Sequence, residues 1–276
     1  MSRRNGADEM AMRLTCLMVV LVFFSSFSLA TEKQEQRMND GKQVVSEKIS
    51  DAEKNNATQM NATQAEAAEH HAGGVRIVFI GNSITLHGVA PKIGWHNEWG
   101  MAASAAEKDF VHIVTRGIEA KTGGKADVRV RNLARFERGF PTYDFALEKD
   151  LIDFAPDYLI VALGENVGAL TTQEERLAYS EAFKKLLEGF LIGAKKPKSV
   201  VRGVFWPSTW KDEMMARAAK ELGVPFVKAD LATDESMMAL GLFEHTGVAR
   251  HPGDKGMAAI AHIILKGLFP EEAEGK

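Results

Sequence analysis

Short apolar runs alternate with helical patterns from residue 75 to residue 268, and this alternation restricts the fold more than any other feature. The apolar runs have the length and composition of buried strands and lie at 75–80, 128–133, 158–163, 200–206 and 226–227, the last extending to 231. The helical patterns lie at 98–122, 143–153, 173–192, 211–222 and 254–268. Strands that alternate with helices form a parallel sheet with helices on both faces. We therefore predict an α/β domain whose functional loops lie at the carboxyl ends of the strands.

The first 30 residues have the features of an export signal. Arg13 precedes an apolar run at 14–24, and Ser28, Leu29 and Ala30 are placed as in a cleavage site. The run of about 11 residues is shorter than the roughly 20 needed to span a bilayer. We expect cleavage after Ala30, no stable membrane insertion afterwards, and a secreted or periplasmic protein. An uncleaved signal would instead act as a membrane anchor.

Residues 31–74 predict a polar linker that is disordered or loosely helical, because their composition offers too little apolar surface to offset the entropy of ordering. The folded domain is predicted to occupy residues 75–276. Within the linker, His70 and His71 are adjacent, which is usual for solvated side chains and predicts no metal site.

The single cysteine and the net charge exclude several function classes. Cys16 lies in the predicted signal, so the mature protein would have no thiol for a disulfide, for catalysis or for a metal. A net charge of −3 gives no electrostatic signature of nucleic-acid binding.

The first predicted strand runs into a turn that contains a serine. Gly81 and Asn82 allow the chain to leave the strand sharply, which places the hydroxyl of Ser83 at the carboxyl edge of the sheet. From these residues alone, Ser83 is either a turn or helix-capping residue or a nucleophile.

Four segments, in order, resemble the motifs of the GDSL/SGNH hydrolase family. They are Gly81-Asn82-Ser83-Ile84-Thr85, with Asn82 in place of the usual Asp; Asn132-Leu133-Ala134 followed by Gly139; Gly164-Glu165-Asn166; and His251-Pro252-Gly253-Asp254-Lys255-Gly256. The resemblance covers residues 75–268, nearly the whole domain. It implies a flavodoxin-like three-layer α/β/α sandwich with a central parallel sheet of about five strands. It also implies a serine esterase that uses no metal and no organic cofactor.

The resemblance also assigns catalytic roles. Ser83 would be the nucleophile and His251 its general base, a task that suits an imidazole with a pKa of about 6.5. The oxyanion would be bound by the backbone N–H of Ser83, a backbone N–H from the second motif and the side-chain amide of Asn166. The usual donor of the second motif is a glycine five residues after the Asn. Because Glu137 occupies that position, we expect Gly139 to be the donor.

The sequence departs from the family at the acid of the triad. The usual Asp three residues before the catalytic His is Val248 here. Three alternatives remain open: a Ser–His dyad, a backbone carbonyl that holds the ring, or another carboxylate such as Glu244. Asp254 is predicted to cap the last helix rather than to serve as the acid.

Aromatic loops after two of the strands suggest a substrate class. Trp95, His96 and Trp99 follow the nucleophile, and Trp206 follows the fourth strand. They predict a surface that stacks on sugars, a rim for an acyl group, or rings packed on the core. Together with export, they favour a small ester, such as an O-acetyl group, on a carbohydrate. The alternatives are a lipid or general acyl hydrolase with the same site, or a carbohydrate-binding protein whose catalytic site has decayed.

Overall fold

The computed structural model of the chain describes residues 74–192 and 195–270. The predicted signal peptide and the predicted linker up to residue 73 lie outside the described residues. The five strands are β1 (Val75–Gly81), β2 (Ala126–Asn132), β3 (Tyr158–Ala162), β4 (Lys198–Arg202) and β5 (Phe226–Val227). The α-helices are α1 (Phe110–Thr122), α2 (Ala134–Gly139), α3 (Lys149–Asp153), α4 (Gln173–Leu191), α5 (Thr209–Glu221), α6 (Thr246–Ala249) and α7 (Asp254–Leu268).

The strands form one parallel sheet in the order β2-β1-β3-β4-β5, which confirms the predicted flavodoxin-like α/β fold. The chain turns to one side of β1 to form β2 and to the other side to form β3. This reversal opens a crevice at the carboxyl ends of β1 and β3, where ligands bind in open α/β sheets.

Side chains alternate between two apolar cores because successive residues of a strand point to opposite faces of the sheet. Ile77 and Phe79 of β1 pack on one face with helices α1 and α7. Val78 and Ile80 pack on the other face with helices α4 and α5. All four side chains are fully buried, so β1 is a rigid support for the segment that follows it.

Most predicted elements are present, and the main error lies in the first helical pattern. The helix predicted from residue 98 begins at Phe110, because the side chain of Asp109 accepts hydrogen bonds from the backbone of His112 at 2.8 Å and of Gly100 at 3.1 Å. Asp109 thus caps the helix and fixes the preceding loop.

Other boundaries differ locally. The predicted helix at 143–153 is a 3₁₀ turn, Phe145–Glu148, followed by α3, and the predicted extension of β5 to residue 231 is absent from the sheet. The short helices α2 and α6 were not predicted. In the described ranges, no helix combines the length and apolarity needed to cross a bilayer.

Candidate active site

Ser83 lies directly beyond the carboxyl end of β1, and its hydroxyl faces His251. The Oγ atom of Ser83 is 2.8 Å from Nε2 of His251, a hydrogen-bonding distance between residues 168 positions apart. The turn is tight at Gly81, where a Cβ would lie 1.8 Å from Oγ1 of Thr85 and 2.9 Å from the carbonyl oxygen of Ala162. The glycine therefore permits the close approach that brings the serine to the edge of the sheet.

The ring of His251 is oriented by the backbone. Its Nδ1 lies 2.7 Å from the carbonyl oxygen of Gly247. Because a carbonyl can only accept, Nδ1 carries the hydrogen, which leaves the lone pair of Nε2 directed at Ser83. Of the three alternatives left open by the sequence, the carbonyl is the group in contact; Glu244 lines a neighbouring cavity instead.

Val248, at the position of the usual acid, belongs to a small apolar core. Its side chain is fully buried with Trp95, Met101, Ala102 and Ala239. At the position of the usual acid, the chain therefore has an apolar side chain that packs in a core.

A buried polar cluster lies beneath Ser83. The side-chain amide of Asn82 donates to Oε1 of Glu137 at 3.0 Å and to Oε2 of Glu165 at 2.5 Å. Glu165 also accepts from the guanidinium of Arg202 at 2.8 Å and from the backbone N–H of Phe205 at 3.0 Å. The Asn at the position of the usual Asp is therefore a donor shared by two carboxylates.

The two carboxylates of this cluster differ in their electrostatic environments. Burial, followed by the negative charge of Glu165, raises the pKa of Glu137 above its ordinary value. Burial also opposes the ionisation of Glu165, but the charge of Arg202 and the hydrogen bond from Phe205 outweigh it and lower the pKa of Glu165. Glu165 is thus held as a carboxylate in an ion pair with Arg202.

Two neighbours from helix α2 fix the side-chain amide of Asn166. Its Nδ2 donates to Oε2 of Glu137 at 2.6 Å, and its Oδ1 accepts from the guanidinium of Arg138 at 3.0 Å. Exchanging the amide oxygen and nitrogen would place donor against donor at Arg138, so the orientation is determined. One N–H of Asn166 is occupied by Glu137, and the second is available to a ligand.

An open cavity of about 510 Å³ lies over these residues. The side chains around it come from the segments after β1 and β2, from Asn166 and from the segment of α6: Ser83, His87, Ile93, Met101, Asn132, Ala134, Arg135, Arg138, Asn166, His245, Gly247, Val248 and His251. The volume is in the range of small-molecule sites.

No protein-family model and no curated protein matches the chain. Several solved structures are similar. A two-domain esterase active on acetylated mannans is 20% identical over 79% of this chain and 53% of its own, with a TM-score of 0.48. The chain thus spans about half the length of that esterase. An acetylxylan esterase from Geobacillus stearothermophilus is 17% identical over 71% of this chain and 95% of its own, with a TM-score of 0.47. The esterase EstA from Pseudoalteromonas sp. is 12% identical over 72% and 99%, with a TM-score of 0.44.

The chain's own topology agrees with what its motifs implied. The sheet has the order β2-β1-β3-β4-β5, the serine follows β1, and the histidine precedes the last helix. The chain therefore has the flavodoxin-like α/β/α fold that its resemblance to the GDSL/SGNH hydrolases implied.

Within this fold, the structure brings Ser83, Asn166 and His251 to one cavity but does not bring Gly139 there. Gly139 is the last residue of helix α2, whose other end faces the cavity through Ala134 and Arg135. The N–H groups of a helix point towards its N-terminus, where the first ones lack intrahelical acceptors. Arg135, in the first turn, therefore offers the free N–H that was expected from Gly139.

The four aromatic and histidine side chains predicted to touch substrate lie in different environments. Trp95 is fully buried and donates from Nε1 to the carbonyl of His87 at 3.2 Å, so it packs in the core and cannot stack on a ligand. Trp99 is half-buried and donates to the carbonyl of Ala103 at 3.0 Å. His96 is exposed, and neither it nor Trp99 lines the cavity.

Trp206 is the tryptophan that reaches the catalytic pair. Its ring meets the ring of His251 edge to face, with centroids 5.4 Å apart and planes at 86°. The contact covers one side of the imidazole and helps to remove it from water. Trp206 therefore supports His251, although it too is absent from the cavity lining.

Asp254 is not the cap predicted from the sequence. The cap position of helix α7 is Gly253, and Asp254 is the first helical residue. Its carboxylate accepts from the backbone and hydroxyl of Ser104, at 2.9 and 2.8 Å, and from Lys108 at 2.9 Å. These hydrogen bonds of Asp254 connect the loop before α1 to the start of α7. Across residues 74–192 and 195–270, no group of three metal-ligating side chains is close enough to hold an ion.

The environment of His251 predicts that activity is lost only at acidic pH. Burial lowers the pKa of His251 below its ordinary value, against the opposing effect of the Gly247 carbonyl. Since the base must be neutral, we expect kcat/KM for p-nitrophenyl acetate to rise with pH, with a midpoint below about 6.5, and then to stay level to pH 8. Initial rates between pH 4.5 and 8, after subtraction of spontaneous hydrolysis, measure this pH dependence of kcat/KM. A midpoint above 7 would indicate a carboxylate partner and contradict the orientation by Gly247.

Proposed function

We propose that the protein is an exported serine esterase that hydrolyses small, acetyl-like esters on a carbohydrate through an acyl-enzyme on Ser83. The observation that carries the proposal is the 2.8 Å contact between Oγ of Ser83 and Nε2 of His251, with Nδ1 held by Gly247, in the wall of an open cavity. A nucleophile, an oriented base and a site for the substrate are the requirements of acyl transfer.

Acylation follows from this geometry. Oγ of Ser83 attacks the ester carbonyl carbon while Nε2 of His251 accepts the hydroxyl proton. The tetrahedral intermediate then breaks its bond to the alcohol oxygen, which takes the proton from Nε2 and leaves as the free alcohol. In deacylation, water attacks the acyl carbon, its proton passes to Nε2, and the proton returns to Oγ as the acid is released.

The developing oxyanion requires donors that are already in place. The second N–H of Asn166 is available, and its direction is fixed by Glu137 and Arg138. The backbone N–H of Ser83 and that of Arg135 have no acceptor in the described part of the chain. We propose these three groups as the oxyanion hole, with Arg135 taking the place of Gly139.

The lining of the cavity favours a short acyl group. Its apolar side chains are Ile93, Met101, Ala134 and Val248, and because Met101 and Val248 are almost fully buried, little apolar surface is open to a ligand, whereas most of the other lining side chains are polar or charged. A methyl-sized acyl chain fits such a patch, and a long fatty chain would have to lie across arginine and histidine side chains. This supports an acetyl ester on a polar carrier over a lipid substrate.

A covalent inhibitor tests the assignment of the nucleophile. We expect p-nitrophenyl ethylphosphonate to release one equivalent of p-nitrophenol and to add one phosphonyl group, which peptide mass spectrometry should locate on Ser83. His251→Ala should slow the labelling strongly because the hydroxyl then lacks its base. Labelling on another residue, or equal labelling of Ser83→Ala, would show that the assignment is wrong.

A further inference from the structure

The charged side chains around the catalytic cavity are of one sign. Arg135 and Arg138 both line it, together with three histidines, and none of its described lining residues is Asp or Glu. The two arginines lie three positions apart on helix α2, so they project on the same side of the helix. The walls therefore present positive charge around Ser83.

Arg135 has no protein partner, among the described residues, that would neutralise it. Its side chain is exposed, and no described acid or carbonyl lies within hydrogen-bonding distance of its guanidinium. Three other arginines of the domain are paired with acids: Arg131 with Asp150, Arg202 with Glu165, and Arg217 with Glu221. Arg138 donates to the neutral amide of Asn166 and meets no described carboxylate.

Two buried acids near the cavity accept hydrogen bonds from the protein, and a third acid, the exposed Glu244, is not part of the cavity lining. Glu137 and Glu165 lie beneath the cavity floor and accept hydrogen bonds from Asn82, Gly164, Asn166 and Arg202. Glu244 and Lys92 line a second cavity of about 550 Å³, which shares Ile93 and His245 with the first. A substrate held in the cavity over Ser83 therefore has two arginine side chains, and no carboxylate, among the described residues that line the cavity.

We propose that the cavity selects esters whose carrier bears a carboxylate, as in an acetylated uronate-containing carbohydrate, and that Arg135 is the residue that recognises this charge. The proposal rests on the esterase function proposed above and specifies its substrate class. A guanidinium binds a carboxylate with two parallel N–H···O bonds, and an unpaired arginine in a site suits this role better than a lysine.

Two substrates that differ only in the carboxylate charge isolate the effect of that charge on kcat/KM. Acetylated methyl glucuronoside carries a free carboxylate at C6, and its C6 carboxamide has the same ring and the same acetyl groups but no charge. Acetate release from both gives the ratio of their kcat/KM values. We expect the native protein to prefer the carboxylate by about tenfold or more, the range of one charge-assisted hydrogen bond.

Variants assign the preference to a residue. Arg135→Gln should reduce the ratio about tenfold, and Arg135→Lys should retain part of it because the charge remains. Arg217→Gln removes a positive charge from helix α5, far in sequence from any residue of the lining, and should leave the ratio unchanged. Added salt should lower the ratio in the native protein because exposed charges are screened.

The outcomes separate this proposal from the esterase function itself. A native ratio near one, or a ratio unaffected by Arg135→Gln, overturns the role of Arg135 while the carboxamide is still hydrolysed. Hydrolysis of neither substrate by a protein that turns over p-nitrophenyl acetate also overturns the substrate class, and no turnover of any of the three esters overturns the esterase function. An equal loss on both substrates in Arg135→Gln shows that the guanidinium acts on the reacting ester and not on the carrier, which also contradicts the proposal.

Discussion

Ser83→Ala and His251→Ala are each expected to lower kcat/KM for p-nitrophenyl acetate by about 10³-fold or more, with unchanged folding. Alanine at 83 removes the atom that forms the acyl-enzyme, and alanine at 251 removes the only described group within hydrogen-bonding distance of Oγ that can take its proton. Since the two act as one unit, the double variant should be little worse than either single variant. Initial rates at pH 7.5 provide the measurement.

Controls make this result specific. His262→Ala replaces an exposed histidine on helix α7 and should keep native turnover. Circular dichroism and thermal unfolding of each variant separate lost chemistry from lost structure. Native turnover in Ser83→Ala would refute the nucleophile, and additive losses in the double variant would show that the two residues act in different steps.

Asn82→Asp is expected to destabilise the fold by about 3–5 kcal/mol, the range found when a buried charge loses its partner. The amide of Asn82 is fully buried and donates to both Glu137 and Glu165. A carboxylate in its place would remove the shared donor and put three acids beside one guanidinium, that of Arg202. Urea unfolding at pH 7.5 measures the difference in the free energy of unfolding.

A second substitution tests the cause. Glu137→Gln alone should also destabilise, because its new NH₂ group would oppose the donors that now bind the carboxylate. In the double variant, the new amide at position 137 can donate to the new carboxylate at position 82 and accept from Asn166, so that only the N–H of Gly164 stays without its acceptor. We therefore expect a coupling of about 1–3 kcal/mol in favour of the double variant. Strictly additive losses would show that the carboxylates do not repel and that the account of Asn82 is wrong.

The sequence by itself determined the fold class and most of the secondary structure. Helix α7 was predicted with its observed bounds, and β1 within one residue, because periodicity over a buried element is a strong local signal. The motifs also selected Ser83, Asn166 and His251, which the fold brings to one cavity. Ser83 and Asn166 lie close together because the carboxyl ends of the neighbouring strands β1 and β3 meet at one edge of the sheet, while the catalytic roles of the three residues stay predictions.

Only the tertiary structure decided how the site is completed. The sequence could not choose among the partners of His251, since the Gly247 carbonyl carries no side-chain signature. The sequence predicted the same possible role for Trp95 and Trp206. In the structure, Trp95 is buried in the core and the ring of Trp206 contacts the ring of His251. Two of the three departures from the family pattern, Asn82 and Glu137, have no evident connection in the sequence. Together they form one hydrogen bond, because residues 55 positions apart meet beneath the nucleophile. Such a contact depends on distances in space, which a pattern of neighbours along the chain does not contain.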